Sequence, residues 1–200
     1  MYRTEAAAET PIPMQDFDSH TQVKVLRKVL ESITDPRRRL ILARTIEHAD
    51  AEGNGRYPEL IATCSKRRQS YRYWGSGDSS LVPKTPQTYA ELEVYYKGVI
   101  DSKTWMIHHE LDKVIVGDDE VVMDGVLHQL FPTALAELLF QFKPDKSYRA
   151  YQLTKRLIIT FMFDEAGLSC GEHAYSDGPI TAKDLTPVED RYLPDLFKVA

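Results

Sequence analysis

The chain has 200 residues, 42% of them hydrophobic and 28% charged, with a formal net charge of −5. This is enough chain for one domain with a full core, in the ordinary balance of a globular protein. The negative charge, with one short basic run at Lys66-Arg67-Arg68, excludes a nucleic-acid surface, which needs clustered cations to neutralise phosphates.

Residues 1–18 read as a flexible arm; they lack the cationic start and apolar core of a secretory signal. Ser19 can cap a helix carrying Val23, Leu26, Val29, Leu30 and Ile33 on one side. Asp35-Pro36 is a cap followed by proline at the first helical position. The helix it opens should stop at "AEGNG", whose glycines allow a left-handed exit. A short helix is expected over Tyr57–Ser65, then a strand in "RQSYRYWG" and a turn in "GSGDSS". Thr85-Pro86 should start an amphipathic helix reaching about Ile100. Three strands follow, Trp105–Val116, Glu120–Phe131 and Gln152–Phe163, with "GDD" at 117–119 joining the first two as a hairpin. Between the last two, residues 133–151 are too long for a hairpin turn. The spacing of Leu135, Leu138, Leu139 and Phe142 predicts a short helix there, either a lid over a cavity mouth or a structural or dimer-contact element. After the turn "DEAG", the strand "LSCGEHAYSD" should pair antiparallel with "RLIITFMF". Residues 179–200 read as a surface tail with short helix.

Helices first and antiparallel strands after is the α+β pattern. The expected architecture is a single domain over residues 19–178: a cone-shaped α+β barrel, its strongly bent antiparallel sheet holding the N-terminal helices on the concave side. No run of about 18 apolar residues is present, so no membrane span is expected. Two cysteines, Cys64 and Cys170, form no CxxC pair, which argues against a disulfide framework and a cysteine zinc site and fits a reducing cytoplasm.

No glycine-rich nucleotide loop and no GxSxG elbow occurs, and the histidines are not spaced as a metal-chelating set. With neither cofactor nor metal indicated, acid–base chemistry by side chains remains, and histidine is its natural carrier near neutral pH. Adjacent strand residues point to opposite faces, so one at most of His108 and His109 faces a given cavity. A carboxylate can orient an imidazole and stabilise its charged form. Asp50, closing the second helix, is the best placed by topology.

Three stretches stand in a telling order: "TIEHADAEGNGRYPELIAT", "MIHHELDKVIVGDDEVV" and "GLSCGEHAYSD". Together they resemble the nuclear transport factor 2-like superfamily and, within it, the SnoaL-like cyclases, dehydratases and isomerases, over roughly residues 20–178. Asp50 falls on the aspartate of the family's second helix. The second stretch resembles the family's "H-x-x-x-N-x-x-I-x-x-x-G-D-x-A" strand, with His108 on the catalytic histidine and Asp112 where asparagine is usual. The third resembles the closing strand. The family's dehydrochlorinases and dehydratases use an Asp–His dyad, which here would be Asp50 and His108. The arginine that the dehydrochlorinases add has no match, with Arg156 or Arg72 as substitutes.

The resemblance implies a cofactor-independent lyase acting on a hydrophobic aromatic or polycyclic molecule by proton abstraction and elimination, for example dehydration or loss of formaldehyde. His108 would be the general base, Asp50 its orienter and Tyr73 or Tyr71 the electrophilic hydrogen-bond donor. Alternation carries Glu110 and Asp112 inward with His108, leaving His109 on the opposite face. Asp124 and His128 share a face of the next strand and join the pocket if that face is the inner one. Tyr71 and Tyr73, or else Arg72, line the cavity; Trp74, Tyr96 and Arg156 complete the expected substrate contacts. Alternatives are an isomerase or cyclase, an epoxide hydrolase built on Arg156 between Asp112 and Asp124, and a non-catalytic binding or dimerisation domain. A homo-oligomer, dimer or trimer, is the expected assembly.

Overall fold

A computed structural model describes residues 2–75 and 85–198. It contains a curved seven-stranded sheet with helices packed on one face, and its edge strands do not meet. The "GSGDSS" turn lies, beyond Gly75, outside the described residues. No described helix is long and apolar enough to cross a membrane.

Strand β1 (Tyr2–Arg3) precedes helices α1 (Thr21–Glu31), α2 (Pro36–Glu52) and α3 (Tyr57–Ala62). Asp35 caps α2, its carboxylate accepting from the Arg38 N–H at 2.9 Å, with Pro36 at the first position. Removing that acceptor leaves an orphan donor, so Asp35→Ala is expected to cost about 1 kcal/mol. In a thermal melt this should lower Tm by roughly 2–4 °C. Gly55 supplies the left-handed exit at φ 64°, with the Trp105 ring against it.

Strand β2 (Ser70–Trp74) leads to α4 (Tyr89–Asp101). This helix starts later than Thr85-Pro86 suggests because Thr88 and Glu91 form a reciprocal capping box. Next come β3 (Ile107–Val116), β4 (Glu120–Pro132), α5 (Thr133–Phe140), β5 (Ala150–Phe163), β6 (Ser169–Ser176), β7 (Leu185–Val188) and α6 (Asp195–Lys198). The sheet order is β1-β3-β4-β5-β6-β2, with β7 also on β5.

Burial fixes which face is inward. Val23, Leu26 and Val29 of α1 and Ile41, Leu42 and Ile46 of α2 share one core with Leu111, Val114, Val121, Met123, Leu127, Ile159 and Phe161 of the sheet. α5 covers the same inner face at the far end of β4 and β5, against Phe131, Tyr151 and Leu153.

Three expectations change. β2 pairs with β6 in parallel, from Ser70 opposite Gly171 to Trp74 opposite Tyr175. Nearly half of the chain separates these strands, so no hairpin forces an antiparallel pairing. Residues 2–18 are held in place: β1 pairs with β3, and Met14 and Phe17 pack with Met106 and Leu130. The tail is equally anchored, since β7 extends β5 and Val188, Leu193 and Phe197 are buried.

Candidate acid–base site on the inner face

Cross-strand register sorts the candidate residues. His109 stands opposite Leu127, which is opposite Lys155; His108 stands opposite His128, which is opposite Thr154. Leu111 and Leu127 are in the helix-packed core, so His109 shares the inner face and His108 the outer one. This reverses the expected parity. Turning His108 inward would drive Glu110 against the apolar side of α1, a charge burial without partners. A bulge between Leu111 and Lys113 then restores Val114 to the inner face.

The outer face gathers six of the expected residues, beneath the N-terminal arm. Arg156 donates to Asp124 at 2.6 Å and to Asp112, which raises its proton affinity further. Ala7 N–H donates to the other Asp112 oxygen at 2.8 Å. Glu110 lies 3.8 Å from the Nε2 atoms of both His108 and His128. Burial pushes His128 down to about 4 and lowers His108, and it raises Glu110.

Asp50 and His108 are not brought together. Asp50 binds Arg56 at 2.5 Å, while His108 accepts at Nδ1 from the Asp18 N–H at 2.9 Å. On a helix of 3.6 residues per turn, Thr45, His48 and Ala49 face the core and Asp50 turns away from it. Trp74 is also outward, stacked on Tyr175 with centroids 4.6 Å apart.

The inner face carries a second set of polar groups, on β2, β6, α2 and α4. Tyr71 and Tyr73 point inward and Arg72 is exposed. Hydrogen bonding orders one chain completely. Thr63 Oγ1 donates to Leu60 O at 2.6 Å, so it accepts from His48 Nδ1–H at 2.7 Å. His48 Nε2 then accepts from the Tyr96 hydroxyl at 3.0 Å, and Tyr96 accepts from Tyr71 at 3.0 Å. Burial holds His48 neutral, down to about 4. The phenols of Tyr73 and Tyr95 form a separate pair at 2.8 Å, each kept protonated by burial.

Two carboxyl groups complete the set. Glu52 is the last residue of α2, and Glu172 on β6 is the register partner of Tyr71 and Phe161. Both are half-buried, and among the described residues neither makes a hydrogen bond or ion pair. Burial pushes Glu52 up to about 7. Burial, with the Glu52 charge beside it, pushes Glu172 up to about 8. Both carboxylates add to the upward shifts of Cys64 and Tyr95, so the four groups lie within electrostatic reach of each other. The negative end of the α2 dipole disfavours an ionised Glu52 in the same direction. Half-buried carboxyls raised toward neutral pH and left without a fixed partner suit general acid–base chemistry. Glu52 was readable in the periodicity: it lies four residues after His48 on the buried side. Glu172 and Tyr95 carry no such signal, because β6 meets β2 and α4 only through the tertiary fold.

No protein-family model matches the chain, and no curated protein matches it in sequence. Solved structures do resemble it. The Δ5-3-ketosteroid isomerase of a Mycobacterium species aligns at TM-score 0.52 and 15% identity, covering 74% of this chain and 98% of that one. A SnoaL-like polyketide cyclase of Shewanella putrefaciens, so described, aligns at TM-score 0.53 and 12% identity, covering 86% and 92%. At these identities the likeness is one of fold. The chain has the cone-shaped nuclear transport factor 2-like fold of the SnoaL-like proteins.

Proposed function

We propose that the protein is a cofactor-independent acid–base enzyme that moves a proton at a carbon beside the carbonyl of a hydrophobic, aromatic or polycyclic compound. The observation that carries this reading is two carboxyls, Glu52 and Glu172, without a hydrogen-bond or ion-pair partner among the described residues, on the side of the sheet that carries the Tyr73–Tyr95 hydroxyl pair. An isomerase and a cyclase built on the same fold are in keeping with it.

The chemistry follows from how burial treats the two carboxyls. It raises both toward neutrality, and the Glu52 charge raises Glu172 further, so the two lose their protons in order. Glu52, with the lower value of about 7, loses its proton first and acts as base; Glu172, at about 8, keeps its own and donates. As Glu52 takes the substrate proton, negative charge grows on the carbonyl oxygen. The Glu172 acid and the Tyr73–Tyr95 pair are the donors that would stabilise it. In that pair one hydroxyl donates to the other, leaving one hydrogen for a ligand. Where the substrate has a leaving group one carbon further on, the enolate expels it, a lyase reaction. Where it has a β,γ double bond instead, the dienolate is reprotonated at the γ carbon and the double bond moves into conjugation.

This assignment predicts a bell-shaped pH dependence of kcat/KM. Activity should fall below about 7 as Glu52 gains a proton, and fall above about 8 as Glu172 loses one. The reaction-independent test is deuterium uptake at the α carbon of a bulky aromatic ketone in D2O, followed by NMR across pH 5–10. Exchange no faster than in buffer for a panel of such ketones would sink the proposal.

A further inference from the structure

The N-terminal arm crosses the outer face and is tied to it through two buried histidines. At one point the Asp18 N–H donates to His108 Nδ1 at 2.9 Å. At another, Gln152 holds Ile12 in both directions, accepting from its N–H at 3.0 Å and donating to its carbonyl at 3.1 Å. Gln152 Oε1 also accepts from the Thr154 hydroxyl at 3.4 Å, so Thr154 Oγ1 accepts from His128 Nδ1–H at 3.0 Å.

These bonds fix the proton on each ring. A backbone N–H can only donate, so His108 Nδ1 must be bare and the neutral ring carries its proton on Nε2. His128 carries its proton on Nδ1, leaving Nε2 bare. Both Nε2 atoms are buried without a hydrogen-bond partner, and both face Glu110 at 3.8 Å. The cluster is thus short of a proton: a lone pair and a carboxylate face each other, and a second ring stands 5.7 Å away. A metal ion does not suit it, because His108 cannot offer Nε2 as a ligand while Nδ1 accepts from Asp18.

We propose that His108 is a proton-operated latch: its neutral ring holds the arm at Asp18, and protonation of Nδ1 releases it while Nε2–H turns to Glu110. The groups that face the ring are Asp16 and Asp18 on the arm, Lys24 on α1, Glu110 on β3 and His128 on β4. The acidic groups favour the imidazolium once it forms, while Lys24 opposes it; His128 stays neutral.

The sign is set by linkage. The latched state excludes a proton that the unlatched ring accepts in the usual histidine range near 6.5. The latch is therefore fully present above that range and weakens as pH falls through it, by up to about tenfold per pH unit. Burial lowers His108 in the latched state, in the same direction.

The test is amide exchange of Ile12 and residues 14–18 in the full chain, corrected for intrinsic rates, at pH 7.5 and 5.5. The wild type should open roughly tenfold more at the lower pH, with the β4 and β5 amides unchanged. His108→Asn, whose Oδ1 can take the place of Nδ1 but cannot be protonated, should stay closed at both. His108→Leu should be open at both. Equal pH dependence in wild type and His108→Asn would overturn the proposal, as would full protection in His108→Leu. In the wild type alone, the 15N shift of His108 Nδ1 must move in the same step as Asp18 exchange; separate steps would also overturn it.

Discussion

Glu52→Gln is expected to lower kcat/KM by about 10²–10⁴ with the fold intact, the loss typical of a deleted general base. Glutamine keeps the shape of the side chain but cannot take a proton from carbon. The limb of the pH profile near 7 should vanish with it, since burial of Glu52 is what places it there. Glu172→Gln should cost less, because an amide N–H still donates to a developing oxyanion. Its signature is loss of the limb near 8, with the Glu52 limb kept. Asp50→Asn and His108→Asn are the contrasting variants. Asp50 serves Arg56, and His108 serves the arm, so neither substitution should move kcat/KM by more than a few fold. If these two abolish turnover and Glu52→Gln does not, the Asp–His dyad of the family resemblance is the machinery and the inner carboxyl pair is not.

The contrast shows where sequence logic reaches and where it stops. Local chemistry was legible: Asp35-Pro36 marks the start of α2, "GDD" the β3–β4 hairpin, and the β-branched runs of β3, β4 and β5 their strands. The constellation of Arg156 between Asp112 and Asp124 was legible too, and it forms. What alternation could not supply was the absolute face. Motif spacing put His108 inward, but the core needs Leu111 and Val114 inward, and the bulge at 111–113 is how one strand satisfies both. One wrong parity moves His108, Glu110, Asp112, Asp124, His128 and Arg156 together, because they share one face. The arm is the other omission. Its residues are mostly small or polar and show no periodicity, and they are ordered by partners far along the chain, such as Asp112 and Gln152. Glu52 is masked for a simpler reason: the family's aspartate, Asp50, lies two positions earlier on the same helix, and motif spacing points there.

The outer-face ion cluster makes the largest stability prediction. Asp112 is nearly buried at 9% side-chain exposure, while Asp124 and Arg156 keep 27% and 22%. Arg156 binds both carboxylates and lies 3.8 Å from a third, Glu9. Arg156→Met keeps most of the aliphatic stem but leaves two carboxylates on neighbouring strands with no cation between them. Breaking a buried pair by removing one partner costs about 3–5 kcal/mol, so Tm should drop by roughly 10 °C in a thermal melt. The partial exposure of Asp124 and Arg156 places the expected cost at the lower end of that range. The same energetics predict a rescue. In Asp112→Asn/Asp124→Asn/Arg156→Met no charge is stranded, and neutral side chains of similar volume recover most of the loss. Ala7 N–H retains an acceptor in the asparagine oxygen, so the arm stays docked at this point. A shift of under about 2 °C for Arg156→Met would mean that the cluster is solvated and contributes no more than an ordinary surface pair. A large shift with no rescue in the triple variant would mean instead that the arginine stem, packed beneath the arm, supplies the stability and the charges do not.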